Sequence, residues 1–415
     1  MSMNKYDFLF LQQRRKVLGK LGALGIAALG LPTISEAGQT DTIQLPFENG
    51  ERPLVSDLPQ KGSVILQRNR PPLIETPFEV FDHGVLTPND RFYVRWHLAS
   101  IPTTIDPRTY RLSLHGNVEK PFSVSLNELV KGFPRFDIVA VNQCSGNSRG
   151  FFSPRVPGGQ WANGAMGNAR WTGVRLKDLL NHAGVREKSI CVRFNGLDSG
   201  VIPQTPKFMK SLAVDHVLDG EVMLAYAMNG EPLPVMNGFP LRLVVPGWYA
   251  TYWVKMVDDI EVLDRPDDNF WTATAYKVPD NHFANVHPGQ TGVKQVPISK
   301  MLPRSFFTNV KDGDTVRVST PTLVRGIAFG GVNALRAVQL SFDGGRTWRD
   351  AQLGTDYGRY SFRQWQTTVT FTQLGRQQVM VRATDSTGQV QPSTPNWNAA
   401  GFMRNVIESV NLNVA

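Results

Sequence analysis

The sequence predicts an α+β chain of two domains, a mixed α/β domain over 38–295 and a small antiparallel β-sandwich over 296–415. Three observations lead there. Before residue 280, strand-type apolar alternations are interleaved with two short helix signatures. From 279 to 304 the chain is punctuated by Pro279, Pro288, Pro297 and Pro303, as a connector is. Past residue 310 no long helix pattern appears; Val316 and Val318, Val338, Leu340 and Phe342, and Val379 and Val381 alternate with polar residues. Asp343-Gly344-Gly345 adds a hairpin signal. At 415 residues and 41% hydrophobic content, the chain is long and apolar enough to build real cores.

The N-terminus reads as an address rather than as part of the fold. Arg14-Arg15-Lys16 precedes an apolar run from Leu21 to Leu31, and Ser35-Glu36-Ala37 offers the small residues a signal peptidase reads. Paired arginines before a Gly/Ala-rich run point to a twin-arginine signal over 1–37. The run is roughly half the ~20 residues a membrane span needs, so no stable span is expected. The formal charge is +9; residues 1–37 hold five bases (Lys5, Arg14, Arg15, Lys16, Lys20) and two acids (Asp7, Glu36), which leaves +6. No Lys/Arg run or basic helix appears, which speaks against nucleic acid and leaves an anionic small substrate the better fit.

Residues 38–80, rich in proline and polar groups, read as an extended arm over the surface, with Asn69-Arg70-Pro71-Pro72 a turn. Phe92 to Leu98 alternates as a strand and puts Tyr93, Arg95 and His97 on one face. That face meets water or an anion, because burying an unpaired guanidinium costs several kcal/mol. Tyr110 to Gly116 is a half-exposed strand. Ser125-Leu126-Asn127-Glu128 is a capping box that opens a short helix stopped by Gly132. Leu176, Leu179 and Leu180 share a second helix face that ends before Gly184. Ile190 to Phe194 is a strand with Cys191 in the core, followed by a turn-rich loop that presents Asp198. In the apolar strand around Leu241 to Val245, Arg242 needs a fixed anion, and a phosphate suits its fork. Lys255, after Trp253 and Val254, is a second candidate cation.

Phe136 to Val141 reads as a buried strand that delivers Cys144 into the loop Ser145-Gly146-Asn147-Ser148-Arg149. A thiol held at such a mouth, with a guanidinium five residues on, favours the thiolate that binds metal or acts as a nucleophile. The same residues also fit a buried, inert cysteine, or half of a disulfide with Cys191.

Several motifs in one order resemble the sulfite oxidase family of molybdenum enzymes. They are Arg95-Trp96-His97-Leu98, the Cys144 loop with Arg149, Asn168-Ala169-Arg170-Trp171-Thr172-Gly173 and Gly196-Leu197-Asp198-Ser199. Asn237 to Arg242 and Val244-Val245-Pro246-Gly247 continue the series. Ser341 to Trp348 resembles the family's C-terminal immunoglobulin-like, dimerisation-type domain. The likeness runs from about residue 60 to the end and is strongest toward molybdopterin subunits of bacterial cytochrome-dependent sulfite dehydrogenases.

The resemblance implies a molybdenum–molybdopterin cofactor, one pterin per metal, with Cys144 as the thiolate ligand. It implies that Tyr93, Val94, Arg95, Trp96, His97, Asp198, Asn237, Arg242, Trp253, Val254 and Lys255 hold the pterin and its phosphate. Asn237 departs from the family pattern, in which the eukaryotic enzymes carry histidine. Arg95, His97, Arg149, Trp161 and Tyr276 are implied to line the pocket where sulfite becomes sulfate. With only Cys144 and Cys191 present, no Cys-x-x-Cys-His haem site is encoded, so a periplasmic c-type cytochrome, as subunit or acceptor, is expected to take the two electrons. A homodimer or a heterodimer is compatible with that expectation. Two other readings stay open: an exported molybdopterin reductase of sulfoxides, and a metal-free exported binding protein with a Cys144–Cys191 disulfide.

Overall fold

The computed structural model describes residues 41–415; the expected signal segment lies outside the described residues. The expected surface arm is instead an antiparallel sheet. Thr42–Gln44, Glu51–Val55, Val64–Arg68, Leu73–Glu75 and Val94–Arg95 pair in chain order. The apolar residues scattered among the prolines explain it. Val64, Ile74, Val94 and Trp96 are buried together with Met256, and Leu73 joins the main core. The long strand expected over 92–98 shrinks to Val94–Arg95. Its alternation survives all the same: Val94 and Trp96 pack inward, and Arg95 and His97 turn the other way.

Two sheets carry the rest of the first domain. In one, Arg135–Gln143, Met166–Arg175 and Met223–Met228 run antiparallel, with Arg242–Val244 paired to Met223–Met228. In the other, Cys191–Gly196 pairs with Lys210–Ala213 and Val257–Leu263. Val257–Leu263 lies parallel to Arg111–Gly116, which pairs in turn with Phe122–Ser125. Helices are fewer than an α+β reading implies. Among the described residues the α-helices are Leu126–Gly132, Leu176–Ala183 and Val214–Val217. The first carries the expected capping box between Ser125 and Glu128. The second stops at Gly184, whose φ of 69° only glycine adopts cheaply. Strands therefore dominate the chain.

The second half stacks one sheet, Arg304–Phe307, Pro321–Phe329, Arg363–Thr370 and Gln352–Leu353, on another made of Thr315–Val316, Glu408–Val414, Gly375–Asp385, Leu335–Ser341 and Arg349–Asp350. The core between them includes Val324, Leu340, Trp365, Val381 and Leu412. The strand Arg304–Phe307 also ties this half to the first. Fully buried Arg304 donates to Glu408 at 2.9 Å and to the Ser148 hydroxyl at 3.0 Å. Removing one partner of a buried ion pair strands the other charge. Arg304→Met should cost about 3 kcal/mol, at the low end for a broken buried pair, because Arg404 still lies 3.7 Å from Glu408. Urea unfolding of wild type and variant checks it, and an unchanged midpoint would show the pair to be energetically idle.

Candidate active site

The strand Arg135–Gln143 sinks from half-exposed to wholly buried as it approaches Cys144. Backbone bonds then lock the loop that follows. Cys144 N–H donates to Ala165 O, Ser148 N–H to Ala162 O and Gly150 N–H to Trp161 O. The Asn147 side-chain oxygen accepts from Ala165 N–H at 2.9 Å. Ser148 sits in the left-handed region at φ 68°. Gly146 has no side chain for a close reason: a Cβ there would lie 2.4 Å from the Arg149 guanidinium. The loop thus folds Arg149 back over itself. Its Nε donates to Gly401 O at 3.1 Å and its Nη1 to Gly159 O at 3.2 Å. Burial lowers the Arg149 pKa, and Cys144 and Tyr276 draw it back up.

Cys144 and Cys191 are both free and buried, so the disulfide alternative is not formed. Cys144 opens into a cleft. Tyr93, Val94, Arg95 and His97 line one wall of it; Asn237, Arg242 and Lys255 line another. Arg242 donates to Asn237 O at 2.9 Å and to the Asn142 side chain at 3.2 Å. Its Nε, the Arg95 Nη1 and the Asn142 Nδ2 are buried without a partner. Burial lowers Arg242 to about 10. It also holds Lys255 well below the usual lysine range, with Arg242 pushing the same way and Asp198 opposing. Desolvated cations and orphaned donors around one thiol are what an anionic, sulfur-ligated cofactor with a phosphate would satisfy. The residues present fit the implied molybdopterin.

A second cleft opens beside the first and shares Arg95 and Tyr276 with it. Arg149, Trp161 and Phe402 add to its lining. The His97 ring hydrogen-bonds the Tyr276 hydroxyl and stacks on Phe208 at 3.6 Å. Burial, and then Arg95, hold His97 well below its ordinary pKa, while burial raises Tyr276. The pair is therefore uncharged at neutral pH. Tyr276 is stacked on its other side by Phe402, at 5.1 Å and 11°.

Not every residue expected at the cofactor reaches it. Trp96, Trp253 and Val254 do not line the cleft. Trp96 lies under Lys255, whose Nζ is 4.3 Å from its ring; Trp253 bonds Trp248 O. Val254 is in the core. Asp198 is buried behind Lys255, and burial raises its pKa. The Asn237 side chain is mostly committed to protein: its oxygen accepts from Lys61 Nζ at 2.8 Å and its Nδ2 donates to Tyr93 O at 3.1 Å. Sequence reasoning missed Lys61, Lys210 and Phe208. Lys61 is buried, with its pKa lowered to about 7 by desolvation. Lys210 Nζ bonds Trp271 O and lies 4.5 Å from the Tyr252 ring. A lysine set among mostly apolar residues, as in Phe208-Met209-Lys210-Ser211-Leu212-Ala213, was the available signal.

Residues 97–271 match the oxidoreductase molybdopterin binding domain, and residues 295–415 the Mo-co oxidoreductase dimerisation domain. Mitochondrial sulfite oxidase of Rattus norvegicus is 33% identical over 397 residues, which span 92% of this chain and 71% of that one. The chain belongs to the sulfite oxidase family. Its fold also matches the sulfane dehydrogenase SoxCD of Paracoccus pantotrophus, with a TM-score of 0.69 at 24% identity, over 95% of this chain and 96% of that one. Nitrate reductase [NAD(P)H] of Hordeum vulgare is 29% identical over 361 residues, 81% of this chain and 40% of that one. As a sulfite oxidase family member, the chain is a molybdenum oxidoreductase whose cofactor is molybdopterin. No helix among the described residues is long and apolar enough to cross a membrane.

Proposed function

We propose that this chain oxidises sulfite to sulfate in the periplasm and passes two electrons, one at a time, to a c-type cytochrome. The observation that carries the reading is the junction of the two clefts: a free thiol in one, a cationic mouth in the other, with Arg95 and Tyr276 common to both. Cys144 would ligate the metal, and Arg242, Lys255 and the backbone near Tyr93 would hold the pterin and its phosphate. When bound, the molybdenum centre supplies the oxygen that sulfite gains and accepts two electrons; water and the release of two protons balance the cycle. The chain's own residues do the positioning. Arg95 and Arg149 orient the sulfite oxygens, and Tyr276, held by His97, hydrogen-bonds them. An uncharged His97–Tyr276 pair adds no charge that would repel or over-bind the anion. Trp161 and Phe402 close the sides and limit water. The paired arginines at 14–15 support export with the cofactor in place, and the second domain supports dimerisation or a heterodimer with the cytochrome.

Molybdenum content, and turnover with sulfite against methionine sulfoxide and nitrate, test the reading. Sulfite alone should support turnover with cytochrome c. Preferential reduction of the sulfoxide or of nitrate would overturn it. The electron route has its own expectation. The purified chain, loaded with cofactor, should be reduced once by sulfite and then stall, because its two cysteines cannot attach a haem. Adding a c-type cytochrome should restore steady turnover in stopped flow. Rapid multiple turnover on dioxygen alone would remove the cytochrome from the scheme.

A further inference from the structure

We infer that Arg68 is a third anion-binding residue of the outer cleft, one that captures a divalent oxyanion at the mouth and sets its KM. The inference rests on the sulfite reading above. It starts from register. Leu73 pairs with Arg68 on one side and with Arg95 on the other. The register shifts just before Arg68, and past that bulge Arg68, Leu73 and Arg95 come to one face, that of the outer cleft. Two strand spacings, about 10 Å, separate the outer pair of backbones. Two long guanidinium side chains reach across such a gap. All three residues line the outer cleft, with Arg149 also lining it.

No carboxylate lines that cleft. Arg68 makes one hydrogen bond, from Nε to Pro71 O at 3.3 Å, and no ion pair among the described residues. Arg95 has a buried Nη1 without a partner. Burial lowers the pKa of Arg68, and the like charge of Arg95 lowers it further. Like charges gathered on one face with no internal counter-ion favour an anion from outside. Arg68 differs from its two neighbours in being exposed. It is placed to meet the anion first, whereas Arg95 touches both clefts and Arg149 is bound to backbone carbonyls. Its effect therefore falls on capture and product retention more than on the reacting atoms.

The test is Arg68→Gln in the cofactor-loaded protein, with Arg68→Lys beside it. The glutamine variant should raise KM for sulfite about fivefold, the scale of one exposed ion contact. Inhibition by sulfate should weaken by the same factor, and kcat should fall less than KM rises. The lysine variant should recover most of the loss. Isothermal titration of sulfate into each protein gives a readout independent of turnover. Unchanged KM and unchanged sulfate affinity in Arg68→Gln overturn the proposal while leaving sulfite oxidation standing. Should the wild type bind sulfate but fail to oxidise sulfite, the functional reading falls and the titration still decides the role of Arg68.

Discussion

Cys144→Ser should abolish sulfite oxidation while leaving the fold and most of the bound pterin in place. The loop keeps its shape without the sulfur. Its geometry comes from the backbone bonds to Ala162, Ala165 and Trp161 and from the Asn147 side chain, and none of these uses Sγ. A serine is nearly isosteric and faces a polar cleft, so the stability cost is about 1 kcal/mol. Pterin retention follows from the number of other holders: Arg242, Lys255 and the groups around Tyr93 are untouched. A hydroxyl is neither soft nor ionised at neutral pH, so it is a poor substitute for a thiolate on this metal. Melting temperature, pterin fluorescence after extraction and sulfite turnover measured together separate the possibilities. Near-normal turnover would refute the ligand assignment; loss of fold would show that the thiol is structural.

The parts of this site that were legible in the sequence are those where a residue type conflicts with its local pattern. A cysteine closing an apolar strand, and an arginine inside one, each demand a partner, and both Cys144 and Arg242 do line the inner cleft. Contiguous motifs misled where alternation was ignored. Trp96 stands between Arg95 and His97, and Val254 before Lys255. Side chains of neighbours in an extended chain face opposite ways, and Trp96 and Val254 turn theirs into the core, whereas Tyr93, Val94 and Arg95 all line the inner cleft. Lys61 was invisible because its partner, Asn237, lies 176 residues away. The carbonyl that holds Arg149, at Gly401, lies 252 residues away, in the other half of the chain. The proline-rich start looked like an arm because proline and polar residues dominate its composition. Its few buried apolar residues, Val64, Ile65, Leu73 and Ile74, carry the sheet all the same.

The strand-dominated architecture has a bearing on how the clefts are kept open. The cofactor wall is assembled from strand ends and loops of three sheets. The substrate wall takes Ala400 and Phe402 from the second half. Met403 N–H to Ser145 O, Arg149 Nε to Gly401 O and Arg149 Nη2 to Ala400 O fasten that segment to the cysteine loop, and Arg304, on another strand of the same half, donates from Nη1 to the Ser148 hydroxyl. The second half is thus part of the active site as well as a dimerisation-type domain. A change in its seating would reach Arg149 and Tyr276 directly, because Phe402 lies against both.

Arg95→Met should lower kcat/KM for sulfite by roughly 10- to 150-fold, the equivalent of about 1.5–3 kcal/mol for a charge-assisted contact. Arg95 differs from Arg149 in what the protein gives it. Arg149 is fixed by carbonyls of Gly159 and Gly401, whereas the Arg95 Nη1 is buried with no protein partner. Its free donor is therefore available to substrate, and the loss should appear in both KM and kcat. Methionine replaces the unbranched stem of the side chain, so local packing is largely kept. The backbone role also survives, since Lys255 Nζ donates to the Arg95 carbonyl at 2.9 Å. Titration of His97 does not complicate the result. Burial is the larger cause of its depressed pKa and Arg95 the second, so His97 should stay neutral in the variant. The deficit should appear from about pH 7 to 9, with its size varying across the range because Arg95 also helps hold down the pKa of Lys255. Steady-state kinetics over that range, with sulfate inhibition as a second readout, checks the expectation. Sulfite kinetics equal to wild type would mean that Arg95 serves the fold, and that the anion is held by Arg149 without it.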